Sequence, residues 1–387
     1  MQRIVRPSAH IGLLLLASLC GCSSQLDLGH DLKVSVAGPR NTPNTTNTPD
    51  MPDASDAPDA SNTPSTRPIP TAPNTPTSST CVGIPCFAGP VLDLATSDGS
   101  AKGLVMDADN VFWAATAGQA LMVTPKDGSV TTAISTPMAG PFRVDEDETN
   151  VYFTSAAGGY VATAPKSNRP KLSPKVPPPI TLLVSGEPEP ESLVVASEGI
   201  YFSDNTAGTV KRVALDGSAV ETLVTGLTSG SELALDADSL YYVDSAIGNV
   251  YSINRVSKKI ALLASGLNRP VAPVASGDAL YFLELGTLAE SYADGRFSRM
   301  PRTGGPIEVL IDHLDSPSGL AADTAAFYLC TRGTELNGYR GKIVRFANDG
   351  QISTLAIDQA EAFAIAVDGT GVYWTTDADN GLHSIQR

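Results

Sequence analysis

The chain has 387 residues with 41 acidic and 26 basic side chains, which gives a formal net charge of −15 at pH 7. Binding to phosphate backbones depends on Lys and Arg displacing counterions, and the chain has no run of basic residues, so the composition argues against a nucleic-acid partner. The hydrophobic content of 42% is ordinary, and enough chain remains outside the N-terminal tail to bury a large core.

The N-terminus combines two basic residues, a short apolar run and a cysteine-containing motif. Two arginines precede an apolar run from Ile11 to Leu19. Because about 20 apolar residues are needed to cross a bilayer as a helix, this run predicts a signal-peptide core and not a membrane span. The letters LCGC follow, ending at Cys22, and they resemble a lipobox, in which the chain is cut before the cysteine. The resemblance implies that residues 1–21 are removed and that Cys22 is acylated.

Acylation of Cys22 implies attachment to a membrane, since each buried CH2 group contributes about 0.8 kcal/mol. The next residue is Ser23 and not an aspartate. By resemblance to enterobacterial sorting, this favours the outer membrane. We therefore expect a lipid-anchored protein of the bacterial cell envelope. The alternative is an ordinary secretory signal.

A tether is predicted over residues 22–80. From Asn41 to Thr80 the chain consists almost entirely of Pro, Thr, Asn, Ser, Asp and Ala. Such a segment has no apolar periodicity and cannot form a core, so we expect it to be disordered and extended. It would hold the domain at residues 81–387 away from the membrane.

Three cysteines lie beyond the tether. Cys81 and Cys86 bracket four residues, and such a pair in an exported protein is expected to form a disulfide. Cys330 lies in the apolar segment AFYLC, where a free cysteine usually behaves as a small buried hydrophobic residue.

Internal repetition dominates the domain. A short strand centred on an aromatic residue occurs seven times, at separations of 40, 49, 40, 40, 47 and 45 residues. The central residues are Phe112, Tyr152, Tyr201, Tyr241, Tyr281, Tyr328 and Tyr373. Periods of this length, with several short strands in each unit, are typical of β-propeller blades.

The unit from Ser231 to Leu267 contains four predicted strands. From the innermost to the outermost strand they are Leu233–Asp236, Leu240–Asp244, Asn249–Asn254 and Ile260–Ala264. Aromatic and β-branched residues favour these strands, while Gly, Asp, Asn and Ser favour the turns between them.

The last unit, which ends at Gly381–Arg387, has only three strands. The segment Val91–Ala95 precedes the first unit and can supply the missing strand. This exchange joins the two ends of the ring and leaves no open edge there. The sequence therefore predicts an all-β, seven-bladed propeller closed by an N-terminal strand. A six-bladed ring, in which the FYL unit at Phe327–Leu329 is a decoy, and an eight-bladed ring are the alternatives.

The aromatic strands resemble a known repeat. The segments VYWTTD at 372–377, IYFSD at 200–204 and LYYVD at 240–244 resemble YWTD and NHL-like propeller repeats. The resemblance implies that the aromatic residue fills the space between blades and that the acid supports turns. It implies no particular activity, because propellers include lactonases, lyases, quinoproteins and binding proteins.

Histidine chemistry is not expected. The chain has four histidines, of which His10 falls in the signal peptide and His30 in the tether. The other two, His313 and His383, are isolated in sequence and are expected to be surface or turn residues. No histidine metal cluster or catalytic triad is therefore predicted.

The acidic residues of the chain leave open an alternative function that depends on a bound metal ion. Calcium-dependent lactonase propellers use Glu, Asp and Asn that converge at the central pore, and calcium prefers several oxygen ligands. Most aspartates here belong to repeat turns and are expected to be structural, as in Asp107, Asp216, Asp236 and Asp368. Glu232, just before an innermost strand, is expected at a pore mouth and is a weak metal candidate. The alternative is thus a divalent-cation-dependent hydrolase or lactonase.

Two neighbouring blades carry long insertions between their second and third strands. These loops span Glu284–Arg296 and Arg332–Arg340, and they are rich in Tyr and Arg, which often carry contact energy at interfaces. The candidate binding residues are Glu284, Tyr292, Arg296, Arg332, Glu335, Asn337, Tyr339 and Arg340. We expect a recognition patch there, with neutral loop growth as the alternative.

A third insertion, Lys166–Pro179 in blade two, is basic and proline-rich and should lie on the opposite face. It is expected to be a solvated loop. The sequence favours a binding or scaffolding propeller without a cofactor, attached to the membrane by its lipid anchor, with a protein or a glycan as its ligand. A structural subunit of an envelope assembly is a third class.

Overall fold

The structure, a computed structural model, describes residues 89–135, 138–167, 179–228 and 231–386. The signal peptide, the tether, Cys22, Cys81 and Cys86 lie outside the described residues, as does most of the basic insertion of blade two. Within these four ranges, no helix is long and apolar enough to cross a membrane.

The described chain folds into seven four-stranded antiparallel sheets. Blade one consists of β2 (Ala101–Met106), β3 (Asn110–Ala115), β4 (Ala120–Pro125) and β5 (Thr132–Ser135). Blade two consists of β6 (Pro141–Glu146), β7 (Asn150–Ser155), β8 (Tyr160–Pro165) and β9 (Thr181–Ser185). Blade three consists of β10 (Pro190–Ala196), β11 (Gly199–Asp204), β12 (Thr209–Val213) and β13 (Val220–Thr225).

The next three blades repeat this order from the axis outward. Blade four consists of β14 (Ser231–Leu235), β15 (Ser239–Asp244), β16 (Asn249–Asn254) and β17 (Ile260–Ala264). Blade five consists of β18 (Pro270–Ser276), β19 (Ala279–Glu284), β20 (Gly295–Pro301) and β21 (Glu308–Leu314). Blade six consists of β22 (Pro317–Ala322), β23 (Ala326–Thr331), β24 (Lys342–Ala347) and β25 (Ile352–Ile357).

The seventh blade combines the two ends of the domain. It consists of β26 (Ala362–Val367), β27 (Gly371–Thr376), β28 (Gly381–Gln386) and β1 (Leu92–Thr96). Strand β1 runs antiparallel to β28, with Leu92 opposite Ser384 and Thr96 opposite Gly381. The seven-bladed ring and its closure by an N-terminal strand are therefore confirmed, and the FYL unit is the second strand of a complete blade.

The cores of the protein lie between neighbouring blades. Seven apolar clusters each combine residues of two adjacent blades. Tyr201 of blade three packs with Leu240 and Tyr242 of blade four, and Tyr373 of blade seven packs with Trp113 of blade one. The second strand of each blade is covered on both faces, and its central residues are aromatic or aliphatic, as the aromatic strand motif predicts.

Turn acids hold the connections between first and second strands. Asp236 accepts hydrogen bonds from the backbone N–H of Asp238 at 2.8 Å and of Ser239 at 2.7 Å, and from the hydroxyl of Tyr241 at 2.7 Å. Asp107 and Asp368 make the same backbone bonds in their own turns. The structural role predicted for these aspartates is confirmed.

His383 is buried in β28, so its expected place at the surface or in a turn was wrong. Its Nδ1 lies 2.8 Å from Oδ1 of Asp93, and its Nε2 lies 2.8 Å from Oγ1 of Thr376. Its ring stacks on Trp374 with centroids 5.8 Å apart. Because Asp93 belongs to β1, the histidine ties the closing strand to the last blade.

Cys330 is buried in β23, where its Sγ lies 3.4 Å from Oγ of Ser318. Burial raises the pKa of the Cys330 thiol to about 11. A thiol that stays protonated is a poor nucleophile, so the expected structural role fits this residue.

Candidate functional site: the upper face of the propeller

We call the upper face the end of the ring that carries the loops between second and third strands and the connections between blades. The opposite end is the lower face. Two long loops of the upper face have the same backbone: Thr287–Tyr292 in blade five and Thr334–Tyr339 in blade six each contain one 3-10 turn. In each, the tyrosine N–H donates to the threonine carbonyl at 2.8 Å, and the last two residues have φ between 52° and 69°. This ending is a Schellman motif. We call these two segments the loop pair.

The loop pair also repeats in sequence. Its two members read TLAESY and TELNGY and lie 47 residues apart, the same spacing as Tyr281 and Tyr328 in the strands that precede them. The loop is therefore part of the repeat in these two blades. Two unrelated insertions would have no reason to share length, sequence spacing and hydrogen bonding.

The tips of the loop pair present apolar side chains to solvent. Leu288 is 73% exposed, Leu336 is 75% exposed and Tyr339 is 48% exposed. Glu335 is also exposed. Internal hydrogen bonds fix the backbone of both loops, so these side chains are held outward without a partner.

The other predicted binding residues have contacts within the protein. The predicted arginines each pair with an aspartate: Arg296 with Asp312 at 3.1 Å, Arg332 with Asp377 at 3.8 Å and Arg340 with Asp358 at 3.5 Å. Tyr292 accepts a hydrogen bond from Arg269 at 3.1 Å, and the guanidinium lies 5.6 Å from its ring centroid.

Two of the predicted residues organise the loops instead of presenting a contact surface. Asn337 accepts hydrogen bonds from the backbone N–H of Thr334 at 2.9 Å and of Arg340 at 3.1 Å. Glu284 is only 3% exposed and accepts from the backbone N–H of Asn268 at 2.9 Å. Burial therefore removes Glu284 from the accessible part of the patch.

A second candidate site lies on the axis of the ring. The innermost strands of all seven blades line a cavity of about 180 Å³. Glu232 lies in it, forms an ion pair with Arg143 and accepts a hydrogen bond from the backbone N–H of Ala272 at 2.5 Å. Ala272 has a φ of 49°, an unfavourable conformation for a residue with a Cβ, and this conformation directs its N–H at the carboxylate.

Glu191 of blade three is buried beside this ion pair. Burial raises the pKa of Glu191 to about 7, with Arg143 opposing the shift and Glu232 adding to it. The side chain of Asn205 donates a hydrogen bond to Glu191. An acid that titrates near neutrality at a cavity is typical of functional sites, although ion-pair networks produce the same effect.

An aromatic pair lies beside these charged groups. Phe142 and Phe363 contact edge to face with centroids 5.7 Å apart. The ammonium of Lys102 lies 4.4 Å from the Phe363 ring, and the guanidinium of Arg143 lies 5.0 Å from it. Lys102 also forms a buried ion pair with Asp377. Sequence reasoning missed this cluster, because each blade places a different residue type at these positions.

Metal binding has little support from the described part of the chain. Among those residues, no three His, Cys, Asp or Glu side chains gather where they could hold a metal ion. Glu232, the weak candidate, is engaged by Arg143, so a cation there would have to displace the arginine.

No protein-family model and no curated protein matches the chain. Among solved structures, virginiamycin B lyase from Staphylococcus aureus is similar, with a TM-score of 0.62 at 17% identity, covering 77% of this chain and 98% of that chain. Its catalytically inactive variant with quinupristin has a TM-score of 0.61 at 16% identity, with coverage of 77% and 98%. Hydrazine synthase from Kuenenia stuttgartiensis has a TM-score of 0.57 at 12% identity, with coverage of 76% and 97%. At these identities the likeness shows the β-propeller fold alone.

Proposed function

We propose that this protein is a binding or scaffolding module of the bacterial cell envelope, anchored in a membrane, most simply the outer membrane, by acylated Cys22. Its ligand is a protein that covers the loop pair. The tether lets the ring search the space around its anchor, and the rigid blades hold the loops in one arrangement.

The exposed leucines of the loop pair carry this proposal. Covering Leu288 or Leu336 in a complex would contribute about 1–2 kcal/mol each at about 25 cal/mol per Å² of apolar surface. Because the Schellman motifs already fix the backbone, little ordering cost opposes binding. Aliphatic side chains gain most from apolar protein surface, so a protein fits these tips better than a glycan does.

Photo-crosslinking in cells tests the ligand. A photoreactive amino acid at position 288 or 336 should give a discrete crosslinked protein, because both positions lie at the proposed contact. The matched control is position 262, where Leu262 is also exposed but lies on the outer strand β17 of blade four and not in the loop pair. If positions 262, 288 and 336 all gave the same crosslinked proteins, the proposal would be contradicted. A crosslink to a glycan and to no protein would show that the ligand is a glycan.

Lipid anchoring is tested separately. Cells fed an alkyne analogue of palmitate should label the wild-type protein, and Cys22→Ser should lose the label because the acyl acceptor is gone. Cys20→Ser should keep it, since Cys20 is not the acceptor and serine is small enough for the lipobox. Labelling that persists in Cys22→Ser would contradict the proposed anchor.

A divalent-cation-dependent hydrolase or lactonase is the second candidate function. Glu191 favours it, because its pKa of about 7 suits proton transfer near the axial cavity. A rise of several degrees in Tm with calcium, absent in Glu232→Gln, would favour this function over the first.

A further inference from the structure

A repeated cation contact on the lower face joins neighbouring blades. In four of the six blades where the position is described, the residue directly after the third strand is basic: Lys126, Lys166, Arg255 and Arg302. Each reaches the preceding blade. Arg302 donates to Asp236 at 2.5 Å, and Arg255 donates to Glu198 at 2.8 Å.

The groups that hold Lys126, Arg255 and Arg302 are similar. Arg255 also donates to the carbonyl of Asp236 in its own blade at 2.6 Å, and its guanidinium lies 5.9 Å from the Tyr201 ring. Lys126 pairs with Asp368 and lies 5.8 Å from the Tyr373 ring. Arg255, Arg302 and Lys126 thus each pair with an acid of the preceding blade, and the rings of Tyr201 and Tyr373 add to this for Arg255 and Lys126. Lys166 instead pairs with Glu146 of its own blade and reaches the preceding blade through the Phe112 ring at 5.6 Å.

The boundary between blades five and six lacks this cation. Asn348 occupies the position, and its side chain donates to the carbonyl of Thr324 in its own blade at 2.9 Å. Asn348 therefore brings no positive charge to the turn acid of blade five. Across the boundary, Asp278 is exposed, and its carboxylate accepts no hydrogen bond from any residue that the structure describes.

Blade three also lacks a basic residue at this position, since Ala214 follows its third strand. The turn acid of blade two that such a residue would reach is already hydrogen-bonded within its own blade. Asp147 of blade two accepts from the hydroxyls of Tyr152 at 2.7 Å and Thr149 at 3.0 Å. In blade five, by contrast, neither Tyr281 nor another described hydroxyl donates a hydrogen bond to Asp278.

A cleft of about 470 Å³ lies beside Asp278. Pro301, Pro306 and Ile307 give it apolar walls. Glu308 also lines it but is paired with Arg299 at 2.8 Å, so Asp278 is the carboxylate of the cleft that no described residue engages. A long basic side chain suits this shape, because its methylene stem can lie on the apolar wall while its head reaches the acid.

We propose that this cleft binds a lysine or arginine side chain from a basic peptide segment of a partner protein. The side chain takes the place that Arg255 and Arg302 fill at other blade boundaries. This site lies on the lower face, so it is distinct from the loop pair and would allow the ring to bridge two partners.

Fluorescence anisotropy with a labelled Gly-Arg-Gly-Arg-Gly peptide tests the site, using the full chain at physiological salt. We expect Asp278→Asn to weaken binding about fivefold. Asn348→Arg should abolish binding, because the new arginine of blade six would itself pair with Asp278. Asp349→Asn removes the same charge from an exposed turn of the neighbouring blade and should leave binding unchanged.

Thermal unfolding gives a readout without a ligand. Asn348→Arg should raise Tm by about 2 °C, and adding Asp278→Asn should remove the gain. Two outcomes overturn the proposal: no binding by the wild-type protein at 1 mM peptide, or equal weakening by Asp278→Asn and Asp349→Asn. Self-association that Asp278→Asn abolishes would identify a second copy as the occupant and overturn the assignment to a separate partner.

Discussion

A chain that begins at residue 99 should be about 4 kcal/mol less stable to urea than one that begins at residue 89, because it lacks β1. Strand β1 pairs with β28 through four residue pairs, and Asp93 holds the buried His383 at 2.8 Å. Each lost hydrogen bond costs about 1 kcal/mol, and the packing of Leu94 against the core between blades seven and one is lost as well.

Tryptophan fluorescence reports this change directly. The chain has two tryptophans, and Trp113 and Trp374 lie in the two cores that blade seven shares with its neighbours. The chain that begins at residue 89 is the matched control, since it is shortened but keeps β1. Equal urea midpoints for the two chains would contradict the role assigned to the closing strand.

The stability that Glu191 contributes should disappear as the pH rises from about 4.5 to about 7. Burial raises the pKa of Glu191 to about 7 from an ordinary value of 4.5, so the folded protein keeps a proton that the unfolded chain releases. This contribution is complete below pH 4.5 and is lost as the pH rises through 7. Relative to Glu191→Gln, the wild-type protein should lose about 3 kcal/mol over this range in urea unfolding.

Glu198→Gln is a control, because Glu198 affects the pH dependence of stability with the opposite sign. Burial alone would raise its pKa, but hydrogen bonds from Arg255 and Tyr201 lower the pKa of Glu198 to about 2. Glu198 therefore stabilises the fold above pH 4.5 and stops doing so as the pH falls through 2, so Glu198→Gln should be less stable than wild type at neutral pH. If Glu191→Gln instead follows wild type in parallel from pH 5 to pH 8, the assigned burial of an ionisable group is contradicted.

Much of the fold could be predicted from the sequence because each repeat unit shows the same order of strands and turns. The predicted strands Asn249–Asn254 and Ile260–Ala264 coincide with β16 and β17. Each second strand lies between two blade cores, so it appears as an aromatic and β-branched run, and turn acids such as Asp236 mark its start. The three-strand final unit identified the closing strand for the same reason.

The axial cluster could not be predicted, because its members lie in different blades and each blade places a different residue type at these positions. Arg143 and Glu232 are 89 residues apart, yet their side chains form an ion pair. A register shift near the start of the innermost strand recurs in six of the seven blades, so the strand geometry repeats while the axial side chains do not. His383 was misplaced because its burial depends on a strand almost three hundred residues earlier in the chain.

The loop pair is an intermediate case. The Tyr and Arg content of the loops directed attention to blades five and six, whereas the leucines at their tips were missed. The signal was available in the spacing shared by Thr287–Tyr292 and Thr334–Tyr339. The exposure of Leu288 and Leu336 could be read only from the fold, since leucine is among the residues most often buried.

The most direct test of protein recognition by the loop pair is the Kd of the crosslinked partner, measured by calorimetry for wild type and for Leu288→Glu/Leu336→Glu. We expect the double variant to bind at least about 30-fold more weakly, since about 2 kcal/mol of apolar burial is lost and two charges are introduced. Leu262→Glu, which places one charge on an exposed leucine of β17, should bind as wild type does. An unchanged Kd in the double variant would contradict the proposed function.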